Sequence, residues 1–401
     1  MKEELIEVYE NLEKLNLKSK KISTIKFNIN FVDGAFIEIL DSQPGEYLVK
    51  MIDKDQDLVI YSNVINNNMW CKSSFKYYVN WRIEVFNNKN QQLIYTYDLD
   101  LKGKRIYIHL DSKSIGDTLA WFPYTEEFRK KYNCELMVST FHNEWFSSMY
   151  KNIKFVSPGE VVKDLYAMYR IGWFYKEDDS VDLNMNLRDF KLYPLQQTAT
   201  DTLGLEYKEI KPKVFFKTKP KEIKNKYVAI GPHASALAKY WNYPNGWQII
   251  IDYLKEKGYD VMMITQEKLK DEFHSKKISD KPLKNIIDKT GNLPIQTRLS
   301  QLKHADLFIG VGSGLSWLSW AVNTKTILIS GFSSPETEFE DCERIHTPPG
   351  FCKNCFNQFR LNAGDWKWCP RYKDTSNMFE CTKSITPEMV IKSINKLLNI
   401  E

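Results

Sequence analysis

Four cysteines near the end of the sequence have a spacing that suits a bound metal ion. Two residues separate Cys352 from Cys355, and Cys369 and Cys381 follow, so that all four fall within thirty residues. The first pair lets two thiolates of one tight turn reach a single ion, and the later pair completes a tetrahedron. Sulfur ligands suit zinc or iron. The spacing predicts a structural metal site, and four unrelated thiols are the alternative.

A glycine-rich turn after an apolar run is suited to holding a phosphate. Residues 307–309 read as a strand buried on both faces of a parallel sheet, and residues 310–314 contain three glycines together with Ser313. Helical spacing begins at Leu315. This order presents backbone N–H groups and the positive end of a helix dipole to an anion. Glycine turns also join strands to helices without a ligand, so both interpretations stay open.

A carboxylate follows a glycine at the end of an earlier predicted strand. Residues 105–110 read as that strand, a polar loop ends in Gly116 and Asp117, and Thr118 opens a predicted helix. A carboxylate in this place can accept the proton of an attacking hydroxyl. Aspartate is also a favoured helix N-cap, and the spacing alone does not separate the two roles.

Charged side chains also follow predicted strands in the second half of the chain. Lys239 and Trp241 come after the strand at residues 227–230. A lysine there can meet a diphosphate as a point charge. Glu267 follows the strand at residues 261–264 and can accept hydrogen bonds from ribose hydroxyls. An ordinary solvated lysine and an ordinary exposed glutamate are the alternatives.

Composition indicates a folded protein with two or three domains. The chain has 401 residues, of which 43% are hydrophobic and 27% charged, and a formal net charge of +5. The lysines are scattered, which argues against a nucleic-acid partner. The charged start has no signal-like apolar region, and no run reaches the length of a membrane span. We therefore expect a soluble cytoplasmic protein whose seven cysteines are free thiols or metal ligands.

The elements that must position these residues fall into three regions. The apolar spacing of residues 4–17 predicts an amphipathic helix. In residues 23–101 apolar and polar side chains alternate, which predicts antiparallel strands joined by three hairpin turns. Such strands favour a small β-sandwich or β-barrel with a binding or assembly role. Strands then alternate with helices in two layers, which predicts a ligand cleft at the carboxyl ends of the strands. The predicted division is 1–102 for the helix and β domain, 103–216 for the first Rossmann-like domain, 217–226 for a linker, 227–341 for the second Rossmann-like domain, 342–385 for the cysteine finger and 386–401 for the last helix.

Several motifs resemble those of the heptosyltransferases. The loop S-I-G-D-T-L at residues 114–119 resembles their acceptor-side glycine–aspartate loop. Three further segments follow the order of that family's nucleotide-sugar half, namely residues 231–241, 288–293 and 306–318. The cysteine set and the β-rich leader extend the resemblance to the bacterial autotransporter heptosyltransferases over residues 23–401. Its most specific parts are the cysteine spacing and the turn V-G-S-G-L-S-W at residues 311–317.

The resemblance implies a fold, a reaction and partners. It implies an α/β GT-B glycosyltransferase with two Rossmann-like domains behind a small β domain. The implied reaction moves heptose, with inversion, from ADP-heptose to serine hydroxyls of an autotransporter adhesin. Iron held by the four cysteines is implied, with zinc as the alternative, and no catalytic divalent ion is expected. The resemblance also implies that the protein forms a homo-oligomer in the bacterial cytoplasm.

The resemblance also assigns roles to individual residues. Asp117 is implied as the general base and Lys239 as the diphosphate clamp. The implied nucleotide-sugar site consists of Lys239, Trp241, Glu267, Thr290, Gly291, Gly312, Ser313, Gly314, Leu315 and Ser316, and the implied metal ligands are Cys352, Cys355, Cys369 and Cys381. Lipopolysaccharide heptosyltransferases carry an acid where this chain has Gly312, and this departure disfavours a lipid-linked sugar acceptor.

Two other functions are compatible with the same residues. One is a glycosyltransferase that acts on a lipid-linked or surface glycan. The other is a non-catalytic protein that binds a nucleotide sugar and uses its β domain and metal finger for assembly.

Overall fold

A computed structural model describes residues 25–268 and 283–401 of the chain. The helix predicted at residues 4–17 lies outside this range. The described residues divide into two units. The smaller combines Val79–Asp100 with the described part of Met1–Phe75, and the larger combines Lys76–Tyr78 with the described part of Leu101–Glu401.

The smaller unit consists of antiparallel strands. They are β1 (Lys26–Asn30), β2 (Phe36–Leu40), β3 (Glu46–Asp53), β4 (Leu58–Asn66), β5 (Met69–Lys72), β6 (Trp81–Asn87) and β7 (Leu93–Asp98). The three predicted hairpins are confirmed, because β1 pairs with β2, β3 with β4 and β6 with β7. The strands form two separate sheets, in the orders β1-β2-β5 and β4-β3-β6-β7.

Alternating side chains hold this unit together. On the central strands β3 and β6, Val49, Met51, Ile83 and Val85 are each 0% exposed. Full burial of a side chain of this size contributes about 1.5–3 kcal/mol. Across the two sheets Phe27 stacks on Tyr95, with ring centroids 4.2 Å apart. The period of two seen in the sequence therefore reflects sheets that each bury one face, as in a sandwich.

The larger unit begins with a parallel sheet in the order β10-β9-β8-β11. Its strands are β8 (Arg105–Leu110), β9 (Glu135–Ser139), β10 (Ile153–Phe155) and β11 (Ala167–Ile171), and its helices are α1 (Ile115–Trp121), α2 (Pro123–Tyr132) and α3 (Gln197–Leu203). Strand order reverses between β8 and β11, which makes their carboxyl ends a switch point where ligands bind.

A second parallel sheet follows in the order β14-β13-β12-β15-β16-β17. Its strands are β12 (Tyr227–Gly231), β13 (Asp260–Met263), β14 (Ile287–Asp288), β15 (Leu307–Val311), β16 (Thr326–Ser330) and β17 (Glu343–His346), and the remaining helices are α4 (Gly246–Glu256), α5 (Ile295–Lys303), α6 (Gly314–Ala321), α7 (Cys355–Gln358), α8 (Glu380–Lys383) and α9 (Pro387–Leu398). Every residue of β12, β15 and β16 is buried, as their unbroken apolar runs predict. Strand order reverses between β12 and β15, which makes a second switch point.

Within the described residues, no helix combines the length and the apolar character needed to cross a bilayer.

Helices α1 and α6 touch at their amino-terminal ends, and glycine makes this contact possible. A Cβ atom on Gly314 would lie 2.6 Å from Cβ of Ile115, and one on Gly116 would lie 3.1 Å from Cδ1 of Trp317. The first helix follows β8 and the second follows β15. Their contact therefore brings the two switch points together.

Replacing Gly314 by alanine should loosen this contact. The new methyl group overlaps the Cβ of Ile115, which cannot move without its backbone, so we expect a loss of about 1–3 kcal/mol in the free energy of unfolding. Urea unfolding measures this loss. Gly364→Ala is the matched control, since Gly364 is exposed and its nearest neighbour is the side chain of Asn362 at 3.3 Å. Equal stability of the two variants would contradict the packing argument.

Candidate active site

A cavity of about 410 Å³ lies at the two switch points. Its walls come from the loops that follow β8, β11, β12, β15 and β16, together with residues near α7. Five of the predicted site residues line it, namely Asp117, Lys239, Gly312, Ser313 and Gly314. Residues from both parallel sheets therefore meet in one place, as the predicted cleft requires.

The helix at the cavity begins earlier than predicted. Helix α1 starts at Ile115, not at Thr118, because Ser114 is its N-cap and accepts a hydrogen bond from the backbone N–H of Asp117 at 3.4 Å. Asp117 therefore lies in the first helical turn. The N-cap interpretation of Asp117 is wrong, and its carboxylate is left to other contacts.

Two side chains hold the Asp117 carboxylate. Oδ2 accepts a hydrogen bond from Oγ of Ser112 at 2.7 Å and from Nε1 of Trp173 at 2.9 Å. Burial raises the pKa of Asp117, and these two hydrogen bonds and the charge of Lys239 partly oppose the increase. A carboxyl with a raised pKa is a stronger base than an exposed one.

Lys239 supplies positive charge to the same cavity. It ends a short 3₁₀ turn, Leu237–Lys239, and its Nζ donates to Oγ of Ser235 at 3.2 Å and lies 5.3 Å from the ring centroid of Phe332. Burial lowers the pKa of Lys239, and the carboxylates of Asp117 and Glu338 counteract this effect. The ammonium therefore interacts with the charges of two acids.

The glycine turn presents Ser313 to the cavity. Ser313 is the N-cap residue of α6, and its Oγ atom is buried without a hydrogen-bond partner among the described residues. Ser316 instead donates its hydroxyl to the carbonyl oxygen of Val311 at 2.7 Å, which closes the turn from behind. Leu315 does not line the cavity and lies beside Gly231, toward the sheet.

Glu267, Thr290 and Gly291 form a separate group at the carboxyl ends of β13 and β14, outside the lining of this cavity. Glu267 accepts a hydrogen bond from Oγ1 of Thr265 at 2.7 Å, and its hydrogen bond with His233 is the main cause that lowers its pKa to about 2. Thr290 donates to Asp288.

A buried arginine ties this group to the sheet. Arg298 donates to the carbonyl oxygens of Thr265 at 2.9 Å and Gly291 at 2.5 Å. The group therefore has a fixed structure of its own at the edge of the second switch point.

Trp241 belongs to the protein core. Its side chain is 1% exposed, its Nε1 donates to the carbonyl oxygen of Ile385 at 2.8 Å, and its ring packs edge-on against Trp247. The prediction that Trp241 contacts the nucleotide sugar needs correction. The indole is fully used in joining the second sheet to the segment before α9.

The four cysteines gather in the carboxyl-terminal segment. Burial, followed by the charges of the other three thiols, raises the pKa of Cys355 to about 12. The same causes, with Cys352 and Cys369 as neighbours, raise the pKa of Cys381 to about 12. Among residues 25–268 and 283–401, however, no three metal-ligating side chains converge on one position. The structure therefore shows neighbouring thiols and does not show a four-cysteine finger.

Sequence reasoning missed Ser112, which donates to Asp117, and also Trp173 and Glu338, which line the cavity. Trp173 follows β11 by two residues, and the sequence did not reveal that strand. Trp173 also packs on Trp121 and Phe356, which fixes its indole toward Asp117. Recognition of β11 would have placed Trp173 at the same sheet edge as Asp117.

Replacing Asp117 by asparagine should change how stability depends on pH. Because the pKa of Asp117 is raised in the folded state, its ionisation destabilises the fold as pH rises above the ordinary carboxyl range. We expect the unfolding free energy of Asp117→Asn, relative to wild type, to increase as pH rises above about 4, the ordinary pKa of an aspartate. Urea unfolding measures it, with Asp252→Asn on the exposed face of α4 as control. An unfolding free energy of Asp117→Asn that differs from that of wild type by the same amount at every pH would contradict a raised pKa of Asp117.

Comparison with known proteins places this architecture in a family. Residues 181–338 match the model for glycosyltransferase family 9 (heptosyltransferase), and residues 23–89 match that for the N-terminal domain of glycosyltransferase TibC. The autotransporter heptosyltransferase Aah of Escherichia coli is 35% identical over 397 residues, which cover 95% of this chain and 96% of Aah. The autotransporter heptosyltransferase TibC of Escherichia coli O78:H11 is 33% identical over 373 residues, covering 92% and 89%.

Solved structures agree with this result. TibC from enterotoxigenic E. coli H10407, described as an iron-containing dodecameric glycosyltransferase, matches with a TM-score of 0.83 and 32% identity over 93% of this chain and 96% of TibC. Its complex with ADP-D-β-D-heptose matches with a TM-score of 0.82 and the same identity and coverage. The fold is therefore the α/β, GT-B-like fold of these enzymes. Likeness of this extent in sequence and structure shows that the chain belongs to the autotransporter heptosyltransferases and is a family 9 glycosyltransferase.

Proposed function

We propose that this enzyme transfers heptose from ADP-heptose to serine hydroxyls of an autotransporter adhesin, with inversion at the anomeric carbon. One observation supports this most directly. Asp117 and Lys239 reach a single cavity from the two parallel sheets, beside a glycine turn that begins a helix. An acceptor base, a cation and a phosphate-binding turn are the groups that such a transfer needs.

Asp117 is the proposed general base. Its carboxylate accepts the proton of the serine hydroxyl while that oxygen attacks the anomeric carbon. The bond from this carbon to the diphosphate oxygen breaks, and the diphosphate leaves with the electron pair. Ser112 and Trp173 keep the carboxylate oriented, since both donate to Oδ2. Attack from the side opposite the leaving group inverts the sugar.

Lys239 and the glycine turn are proposed to stabilise the leaving ADP. The ammonium of Lys239 faces the cavity together with Ser313, at the amino-terminal end of the eight-residue helix α6. Helix dipoles and fixed cations stabilise negative charge that develops in a site shielded from water. Ser313 Oγ has no other hydrogen-bond partner among the described residues, so its hydroxyl can serve the phosphate.

The four cysteines are proposed to hold iron, with zinc as the alternative, in a structural role. Thiolates are the soft donors that either metal takes, and Cys355 and Cys381 each share their surroundings with other thiols of the set. The metal, when bound, would pin the carboxyl-terminal segment. We also propose that the enzyme forms a homo-oligomer in the bacterial cytoplasm, as a relative of dodecameric TibC.

Loss of the Asp117 carboxylate should abolish transfer. We expect Asp117→Asn to reduce turnover at least about a hundredfold, as removal of a general base does, while ADP affinity stays within a few-fold. Mass spectrometry of a serine-rich adhesin passenger measures transfer, and calorimetry with ADP, UDP and GDP measures nucleotide choice. Near-normal turnover of the variant would remove Asp117 from its role. A preference for UDP or GDP would argue against heptose transfer.

Replacing Cys352 by serine should release the metal and lower the melting temperature. The substitution leaves only three thiolates for the ion, and structural metal sites contribute directly to folding stability. Elemental analysis measures metal content, and thermal unfolding measures the melting temperature. Cys342→Ser is the control, because Cys342 lies outside the set and donates to the carbonyl of Phe339. Unchanged metal content and melting temperature in Cys352→Ser would refute the structural metal site.

A further inference from the structure

A second carboxylate, that of Glu338, lines the cavity beside the glycine turn. It lies in the loop that follows β16, and its side chain is 9% exposed. Oε2 forms an ion pair with Nη1 of Arg344 at 2.9 Å, and Oε1 accepts a hydrogen bond from Oγ of Ser333 at 2.8 Å. The carboxylate is therefore held in one position by the loop and by β17.

Glu338 and the glycine turn are fitted to each other. A Cβ atom on Gly312 would lie 2.8 Å from Oε1 of Glu338. Any side chain at position 312 would therefore displace the carboxylate, and only glycine leaves it room. The same glycine brings the acid directly against the backbone that precedes α6.

An acid in this place does not suit the diphosphate itself. Like charges repel strongly where water is excluded, and the diphosphate is already served by Lys239 and Ser313 under the proposed function. An ionised carboxylate is an acceptor only, with about four lone-pair positions on its two oxygens. Ser333 and Arg344 use one bond on each oxygen, which leaves capacity for further donors.

Sugar hydroxyls are suitable donors for the remaining lone pairs of the Glu338 carboxylate. A sugar attached through its anomeric carbon to the diphosphate has to lie between the glycine turn and Asp117, where the acceptor is activated. Hydroxyl groups of that ring come next to Gly312, where Glu338 lies. Hydrogen bonds from neutral hydroxyls to a carboxylate are charge-assisted and therefore strong and directional.

From this geometry we infer that Glu338 is the donor-sugar specificity residue, which accepts hydrogen bonds from hydroxyls of the transferred sugar and holds the ring for attack. This inference rests on the proposed function and names a further residue of the same site. Glu338 takes no part in proton transfer. It is a binding and positioning residue, so its loss weakens recognition of the sugar and leaves recognition of the nucleotide intact.

Calorimetry on the full chain separates the sugar from the nucleotide. We expect Glu338→Gln and Glu338→Ala to bind ADP within about threefold of wild type and to bind ADP-D-β-D-heptose about tenfold or more weakly, as loss of one charge-assisted hydrogen bond implies. Glu336→Gln is the control, because Glu336 lies on the same loop and is exposed. ADP affinity also reports whether each variant is folded. This check is needed because Glu338→Ala removes the carboxylate that pairs with Arg344.

Moving the carboxylate from position 338 to position 312 provides a sharper test. Gly312→Asp alone places a second acid against Glu338 and should fail to bind the donor. The double variant Gly312→Asp/Glu338→Ala puts one carboxylate back into the same space and should recover at least about threefold of the lost affinity for ADP-D-β-D-heptose relative to Glu338→Ala. The mutual fit of the two positions predicts this recovery, whereas a purely structural role of Glu338 does not.

Several outcomes would overturn the inference. Unchanged affinity for ADP-D-β-D-heptose in both Glu338 variants rules out a contact with the sugar. Equal losses for ADP and for the nucleotide sugar indicate a structural role. A Mg²⁺-dependent gain in ADP affinity that disappears in Glu338→Gln would make the acid a cation ligand. Wild-type enzyme that binds the nucleotide sugar no better than ADP and transfers no heptose would refute the proposed function itself, and the role of Glu338 with it.

Discussion

The contact between helices α1 and α6 is the constraint on which the site depends. Each helix starts where a parallel sheet reverses its strand order, and Gly116 and Gly314 let the two amino-terminal ends touch. A ligand cleft in an α/β sheet lies at such a reversal. Because two reversals meet here, one cavity collects an acid from the first sheet and a cation and a glycine-rich turn from the second. Neither sheet carries this set by itself.

Charge inside the cavity is arranged around Lys239. Burial alone would favour the neutral amine of Lys239, and the charges of the Asp117 and Glu338 carboxylates oppose that tendency. The same burial raises the pKa of Asp117. A buried charge is stable only with partners, so the three side chains depend on one another. The cavity thus combines a carboxyl of raised pKa with a cation.

The secondary structure followed from the sequence to a large extent. The three hairpins of the β domain, the buried strands β12 and β15 and the last helix all occur where the sequence predicts them. The motifs also led to the right family. The start of α1 was misplaced, because Ser114 caps the helix and α1 begins at Ile115, three residues before Thr118. Trp241 was assigned to the ligand although its side chain is buried in the core. In the sequence, a tryptophan that follows a strand has the same appearance whether it contacts a ligand or packs in the core.

The sequence alone determined the local elements and the residue types at their ends. The reason is that hydrophobic periodicity, turn chemistry and glycine content act over a few neighbouring positions. Only the tertiary structure decided which ends meet. It brought Trp173 onto Asp117 across 56 residues of chain and Glu338 against Gly312 from the loop after β16. It also set Glu267 and Thr290 apart from the cavity. These pairings depend on sheet order and helix contact, which no short stretch of sequence encodes.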